Sequence, residues 1–185
     1  EIAYETLPGE VRIHVEQVHE TSEITGLFDM PIGFEVYFKD GSIKPVSQRI
    51  DEQSETVTIK NPENKVVDFV LFDPNRKIIK TVKFRRDFDE LIAQAGRAEN
   101  MIDRYNALLE LRDYPAAEKW QLLTDIYNRE TFHLTKGEII RQIANEWQRR
   151  GVEELILSAI SDPDDKVRMA VMKAFSIIPS KWQED

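Results

Sequence analysis

The stretch KVVDFVLFDPNRKIIKTVKFRRDFDELIAQ, residues 65–94, changes its structural period partway along. Residues 66–72 (VVDFVLF) are almost wholly apolar, as a short strand buried on both faces would be. Residues 73–76 (DPNR) carry turn chemistry: Pro74 presets φ and the Asp73 carboxylate can bond the backbone beyond it. KIIKTVKF, residues 77–84, is therefore expected to return as a partner strand. After Arg86 the chemistry changes. Asp87 with Glu90 three positions on is the signature of a helix N-terminus, where the aspartate caps free amides of the first turn.

Towards the N-terminus the pattern stays strand-like. Val11, Ile13 and Val15 alternate with Arg12, His14 and Glu16, and Phe34, Val36 and Phe38 alternate with Glu35, Tyr37 and Lys39. SETVTIK (54–60) is rich in β-branched residues, and DGS (40–42) and NPEN (61–64) are turn clusters. LPGE (7–10) and DMPIG (29–33) read as ordinary turns, each with too little glycine for a phosphate loop. Short strands between turns predict an antiparallel β-sandwich over residues 1–86.

Towards the C-terminus the period becomes helical. Met101, Ile102, Tyr105, Leu108 and Leu109 fall on one stripe, as do Trp120, Leu123 and Tyr127, and then Val152, Leu155, Ile156, Ala159 and Ile160. Gly96 is expected to stop the first helix and Pro115 to open another. Thr135 and Glu138 have capping-box spacing, and DPDD (162–165) starts a last helix. An arginine stands early in three apolar helices, at Arg104, Arg141 and Arg168, at unequal steps of 37 and 27 residues. Paired helices at such spacing are the mark of a solenoid. The fold class is therefore α+β in two parts: the sandwich, then a helical HEAT-like domain (an α-α superhelix) over residues 87–185, read as truncated at Asp185.

Composition narrows the function. The chain has 185 residues, 41% hydrophobic and 32% charged, which suits one or two folded domains rather than a disordered chain. Residues 1–86 carry 12 Lys and Arg against 15 Asp and Glu, and residues 87–185 carry 13 against 19, so the net −9 is spread over both halves. Neither half has the basic excess that phosphate binding needs, so no nucleic-acid partner is expected. No apolar run approaches the ~20 residues that span a bilayer, so no membrane partner is expected either. With no cysteine, disulfides and thiolate metal sites are excluded, while the compartment stays open.

HVEQVHE, residues 14–20, looks at first like metal-site material. Its spacing argues otherwise. His14 and His19 are five apart, whereas the zinc-peptidase helix carries His-Glu-x-x-His so that both rings share a face. On a strand, His14 and Glu16 share a face and His19 points away. His133 stands alone in TFHLTKG. Zinc hydrolysis needs about three ligands and an open position, and these residues do not supply them. No catalytic, cofactor-binding or metal-ligating residue is assigned.

SDPDDKVRMAVMKAF (161–175) resembles a HEAT-repeat unit, with Arg168 expected to reach an acidic loop residue such as Asp162. A longer likeness runs over residues 65–113. The order strand, DP, strand, helix and then DRYNAL resembles the C-terminal part of the aminopeptidase N-like zinc metallopeptidases, with weaker similarity from about Pro31 to the VRMA segment. The resemblance implies a small β-sandwich running into a HEAT-like domain, downstream of a catalytic domain that holds the zinc. The family's His-Glu-x-x-His motif and its amine-binding strand are absent from this sequence. The chain is thus expected to be a non-catalytic C-terminal fragment without a cofactor of its own. Its partners would be the missing catalytic domain and the parent's peptide substrate. Arg141 and Arg168 are the residues that could line the peptide chamber. The alternative is a HEAT-type interaction scaffold from a catalytically inactive relative.

Overall fold

The structure is a computed structural model and describes residues 1–146 and 151–176. Its class is α+β: six strands in two antiparallel sheets come first, and six α-helices follow among the described residues. The chain forms two compact units, Glu1–Gln94 and Ala95–Asp185.

The first unit holds β1 (Ile2–Leu7), β2 (Gly9–Glu16), β3 (Met30–Phe38), β4 (Ile43–Ile50), β5 (Ser54–Asn61) and β6 (Val67–Phe72). One sheet has the order β1-β2-β5 and the other β4-β3-β6. The alternation of the central strands explains the core. Val11 lies opposite Ile59 and Ile13 opposite Val57 in one sheet, and Phe34 opposite Phe72 and Val36 opposite Val70 in the other. Val11, Ile13, Phe34 and Val36 are buried in one cluster fed by both sheets, a sandwich-like arrangement. Tyr37 and Phe69 stack at 4.2 Å on the other face of β3 and β6 and are buried as well. That second buried face is why VVDFVLF lacks polar alternation.

Sequence pattern passed over two strands, β1 and β4. Both are edges, and β4 (IKPVSQRI) is mostly polar and carries Pro45. An edge strand tolerates a missing amide and needs little apolar alternation. DMPIG is not a turn either, for Met30–Gly33 open β3.

The expected strand over residues 77–84 does not form. This segment makes one isolated parallel bridge, Ile2 with Phe84, and the Ile2 amide donates to the Lys83 carbonyl at 2.8 Å. Asp73 is the reason. Its buried carboxylate accepts from the amides of Lys77 (3.2 Å) and Ile78 (3.1 Å) and from the Lys80 ammonium. Those amides are then lost to a ladder. Asp73, Asn75 and Arg76 all have positive φ, so DPNR coils the chain instead of folding it back as a hairpin.

The helices are α1 (Phe88–Arg97), in which the two units meet along the chain, then α2 (Met101–Glu110), α3 (Ala116–Arg129), α4 (His133–Ile143), α5 (Val152–Ile160) and α6 (Asp165–Phe175). At α1 the capping box is reciprocal. The Glu90 amide donates to Asp87 at 2.8 Å and the Asp87 amide to Glu90 at 2.7 Å. Gly96 does not stop this helix, which runs on to Arg97. The capping box expected at Thr135 and Glu138 does not exist. α4 begins two residues earlier, Thr135 is fully buried inside it, and Glu138 binds Arg112.

Within the second unit α4 packs against α2, α3 and α6, and α5 packs against α6. α2, α4 and α6 begin at 101, 133 and 165, steps of 32 residues. The fourth residue of each is a cation: Arg104, Lys136 and Arg168. Arg104 donates to the carbonyls of Ala98 and Glu99, and Arg168 donates to those of Asp162 and Pro163. Arg104 also meets the buried Glu130 at 2.6 Å, and Lys136 meets the buried Asp162 at 2.7 Å. Arg104 and Lys136 thus each pair with an acid 26 residues on, just before the next helix of the series. This register corrects the one drawn from arginines alone. Lys136, not Arg141, is the middle member. Arg168 reaches Asp162 through its carbonyl, because the carboxylate is engaged by Lys136.

No helix among the described residues is long and apolar enough to cross a membrane.

Candidate functional site: a cationic cleft on the helical unit

A cleft of about 580 Å³ opens among α2, α4 and α6. Helical periodicity builds its walls. On α4, His133, Gly137 and Arg141 stand four residues apart and share a stripe, and on α6 Lys166, Ala170 and Lys173, at steps of four and three, share another. Gly137 lets the two helices approach. A Cβ there would sit 3.3 Å from the Ala170 Cβ, tighter than ordinary contact. A helix-interior glycine costs about 1 kcal/mol relative to alanine, and here the cost is offset by close packing.

The third wall is Arg112, just beyond α2. Its Nε donates to Glu138 Oε1 at 2.7 Å and its Nη2 to Oε2 at 2.6 Å. The bonded carboxylate holds the Arg112 guanidinium even further above neutrality than usual, against some desolvation. Their charges cancel. His133 Nδ1 lies 3.7 Å from Asp164 Oδ2, the carboxylate that caps α6 through the Lys166 amide. Arg141, Lys166 and Lys173 are exposed, and among the described residues none has a carboxylate partner. Leu134 and Met169, about half exposed, add apolar surface between them.

The cleft therefore presents three cations without a carboxylate partner among the described residues, beside a fixed ion pair. It has the chemistry to hold carboxylates, through guanidinium and ammonium donors. Of the two arginines singled out in sequence, Arg141 lines the cleft. Arg168 does not, being turned to the carbonyls of Asp162 and Pro163. Lys166 and Lys173 escaped sequence reading. Their signal was cations seven apart on one face of the last helix, legible only once its neighbour was known.

The histidines gather no site. His14 lies exposed on β2, with Nδ1 3.0 Å from Thr56 Oγ1 and Nε2 3.4 Å from Glu5. His19 lies beyond β2, bonds the Gly26 carbonyl at 3.0 Å and packs on Phe28. No group of three or more His, Asp or Glu able to hold a metal occurs among the described residues.

A second cavity, about 480 Å³, lies within the first unit and is walled mainly by apolar side chains, including Val15, Phe28, Ile50 and Phe72. Its charged lining residues are of both signs, Glu1 and Glu16 with Lys80 and Lys83.

No protein-family model matches this sequence, and no curated protein matches it.

Proposed function

We propose that this chain is the non-catalytic C-terminal part of a zinc-dependent aminopeptidase of the aminopeptidase N class. In this reading the two-sheet unit buttresses the catalytic domain, and the helices form a HEAT-like α-α superhelix that walls a peptide-access chamber. One observation carries it: in chain order, a two-sheet unit and a DP segment lead into helices that recur every 32 residues. That is the layout the resemblance at residues 65–113 implies. The packing of α4 on α2 and α6 as well as on α3 supports the solenoid reading, since each step of a solenoid touches its neighbours.

The zinc ligands then belong to the catalytic domain of the same parent chain, and the residues here do not fit that metal. In this reading Arg141 meets the peptide in the chamber, while Arg168 holds the turn of its own step through the Asp162 and Pro163 carbonyls. The test is an aminoacyl-p-nitroanilide assay on the purified chain with added zinc. No release above buffer is expected. Release that a chelator abolishes refutes the proposal.

A second reading is favoured by the cleft itself, whose cations, without carboxylate partners among the described residues, suit a protein-binding surface. Here the chain is a HEAT-type scaffold from a catalytically inactive relative. The reading frame upstream of Glu1 discriminates. An intact His-Glu-x-x-His with a downstream glutamate supports the peptidase, and a counterpart domain with those ligands replaced supports the scaffold.

A further inference from the structure

We propose that the cleft among α2, α4 and α6 binds a short extended peptide bearing carboxylate side chains. Charge complementarity selects this occupant. The chain carries a net charge of −9, yet Arg141, Lys166 and Lys173 converge on one cleft without carboxylate partners among the described residues. Some surface cations of the chain are paired, as Arg49 is with Asp29 and Lys65 with Asp40, and others, such as Lys39 and Lys60, have no carboxylate partner among the described residues; here three such cations line a single cleft.

The neighbouring groups sharpen the choice. Arg112 is neutralised by Glu138, so that pair stiffens the wall instead of adding attraction. Leu134 and Met169 offer half-exposed apolar surface, which rewards a ligand alternating acidic with apolar residues. About 580 Å³ has room for a few residues of peptide. A nucleic acid is disfavoured because its dense phosphates would meet the field of an acidic protein beyond the cleft. Recognition of acidic side chains by this cleft does not depend on the peptidase reading.

The test is fluorescence anisotropy of a fluorescein-labelled octapeptide of alternating glutamate and leucine, titrated with the whole chain. We expect saturable binding that weakens about tenfold or more in the double variant Arg141→Glu with Lys173→Glu, because each reversal turns attraction into repulsion. Lys39→Glu, an exposed reversal in the other unit, should leave it unchanged. Raising NaCl from about 50 to about 500 mM should weaken wild-type binding steeply through screening. The lysine–leucine counterpart should not bind. Absence of saturable binding overturns the proposal, as does indifference to the double variant or to salt. Tighter binding of an oligothymidylate than of the acidic peptide overturns it in favour of a nucleic-acid surface. Circular dichroism of the double variant, and of Arg141→Met with Lys173→Met, separates lost charge from lost fold. The aminopeptidase assay is read independently, so either proposal can fail alone.

Discussion

Arg112 clasps Glu138 with two parallel hydrogen bonds, 2.7 and 2.6 Å long, although 26 residues separate them. The Glu138 side chain is only 4% exposed, and Gln142 donates to the same carboxylate at 2.8 Å. Arg112→Ala would leave this carboxylate buried beside one neutral donor. The expected loss is about 2–3 kcal/mol, below the full figure for a buried pair because Arg112 itself is partly solvated. Arg112→Lys should recover only part of it, since an ammonium cannot make the fork. Urea unfolding measures both. A double-mutant cycle with Glu138→Gln should show a clear coupling, and one below about 0.3 kcal/mol contradicts the pairing.

Asp73 should act as the anchor of residues 77–84. Asp73→Ala removes the acceptor of two amides and one ammonium, for an expected cost of about 2–4 kcal/mol. Asp73→Asn keeps one acceptor oxygen and tolerates positive φ, so it should fall between. Hydrogen exchange at Lys77 and Ile78 should quicken selectively in both variants. Unchanged protection there would show that something else holds the segment.

The helical unit should weaken at both ends of the pH scale. Burial pushes the Asp162 carboxyl up, but the Lys136 ammonium, the Asp164 amide and the Tyr127 hydroxyl together outweigh it and hold the group below its ordinary value. A lowered carboxyl stabilises fully above its unfolded value, near 3.9, and that contribution fades as pH falls through the folded one. Tyr127 is the reverse case. Burial, with Asp162 beside it, pushes its phenol up to about 12. Its contribution is complete below the unfolded value, near 10, and disappears as pH rises through about 12. Asp162→Asn should flatten the acid limb of a stability–pH curve, and Tyr127→Phe the alkaline limb. An acid limb that stays as steep in Asp162→Asn assigns it to other carboxylates.

Gly151 leads into α5 with φ of +91°, and a Cβ there would meet Trp120 Cζ2 at 3.2 Å. Gly151→Ala should therefore cost about 1–3 kcal/mol through strain and crowding together. Gly26→Ala is the control, for a Cβ there meets nothing within 4 Å, and its effect should stay within about 0.5 kcal/mol. Equal melting temperatures for the two variants would remove the assigned strain.

The two-part order was legible because β2, β3 and β5 alternate, β6 is almost wholly apolar, and Asp87–Glu90 marks the first helix without ambiguity. The edge strands β1 and β4 were not, and β4 buries too little to need an apolar pattern. Residues 77–84 look like a strand by composition, but Asp73 holds the Lys77 and Ile78 amides and the positive φ of Asp73, Asn75 and Arg76 turns the chain away from a hairpin. That capture depends on three-dimensional geometry. The helical register was hidden by a chemical substitution: the middle cation is Lys136, while Arg141, an arginine in the same helix, belongs to the cleft. The cleft is spread from Tyr105 to Lys173, and no local motif could gather it.

The forward-reaching pairs Arg104–Glu130 and Lys136–Asp162 also govern how this array can change in evolution. Arg104 and Lys136 each meet the acid that precedes the next helix of the series, while Arg168 binds the carbonyls of its own turn. Excising residues 133–164 removes Lys136, Asp162 and Glu138 together and leaves only the partly exposed Arg112 without its acid, whereas a break between Lys136 and Asp162 strands a charge in the interior. Length variation among descendants of this chain should thus be quantised.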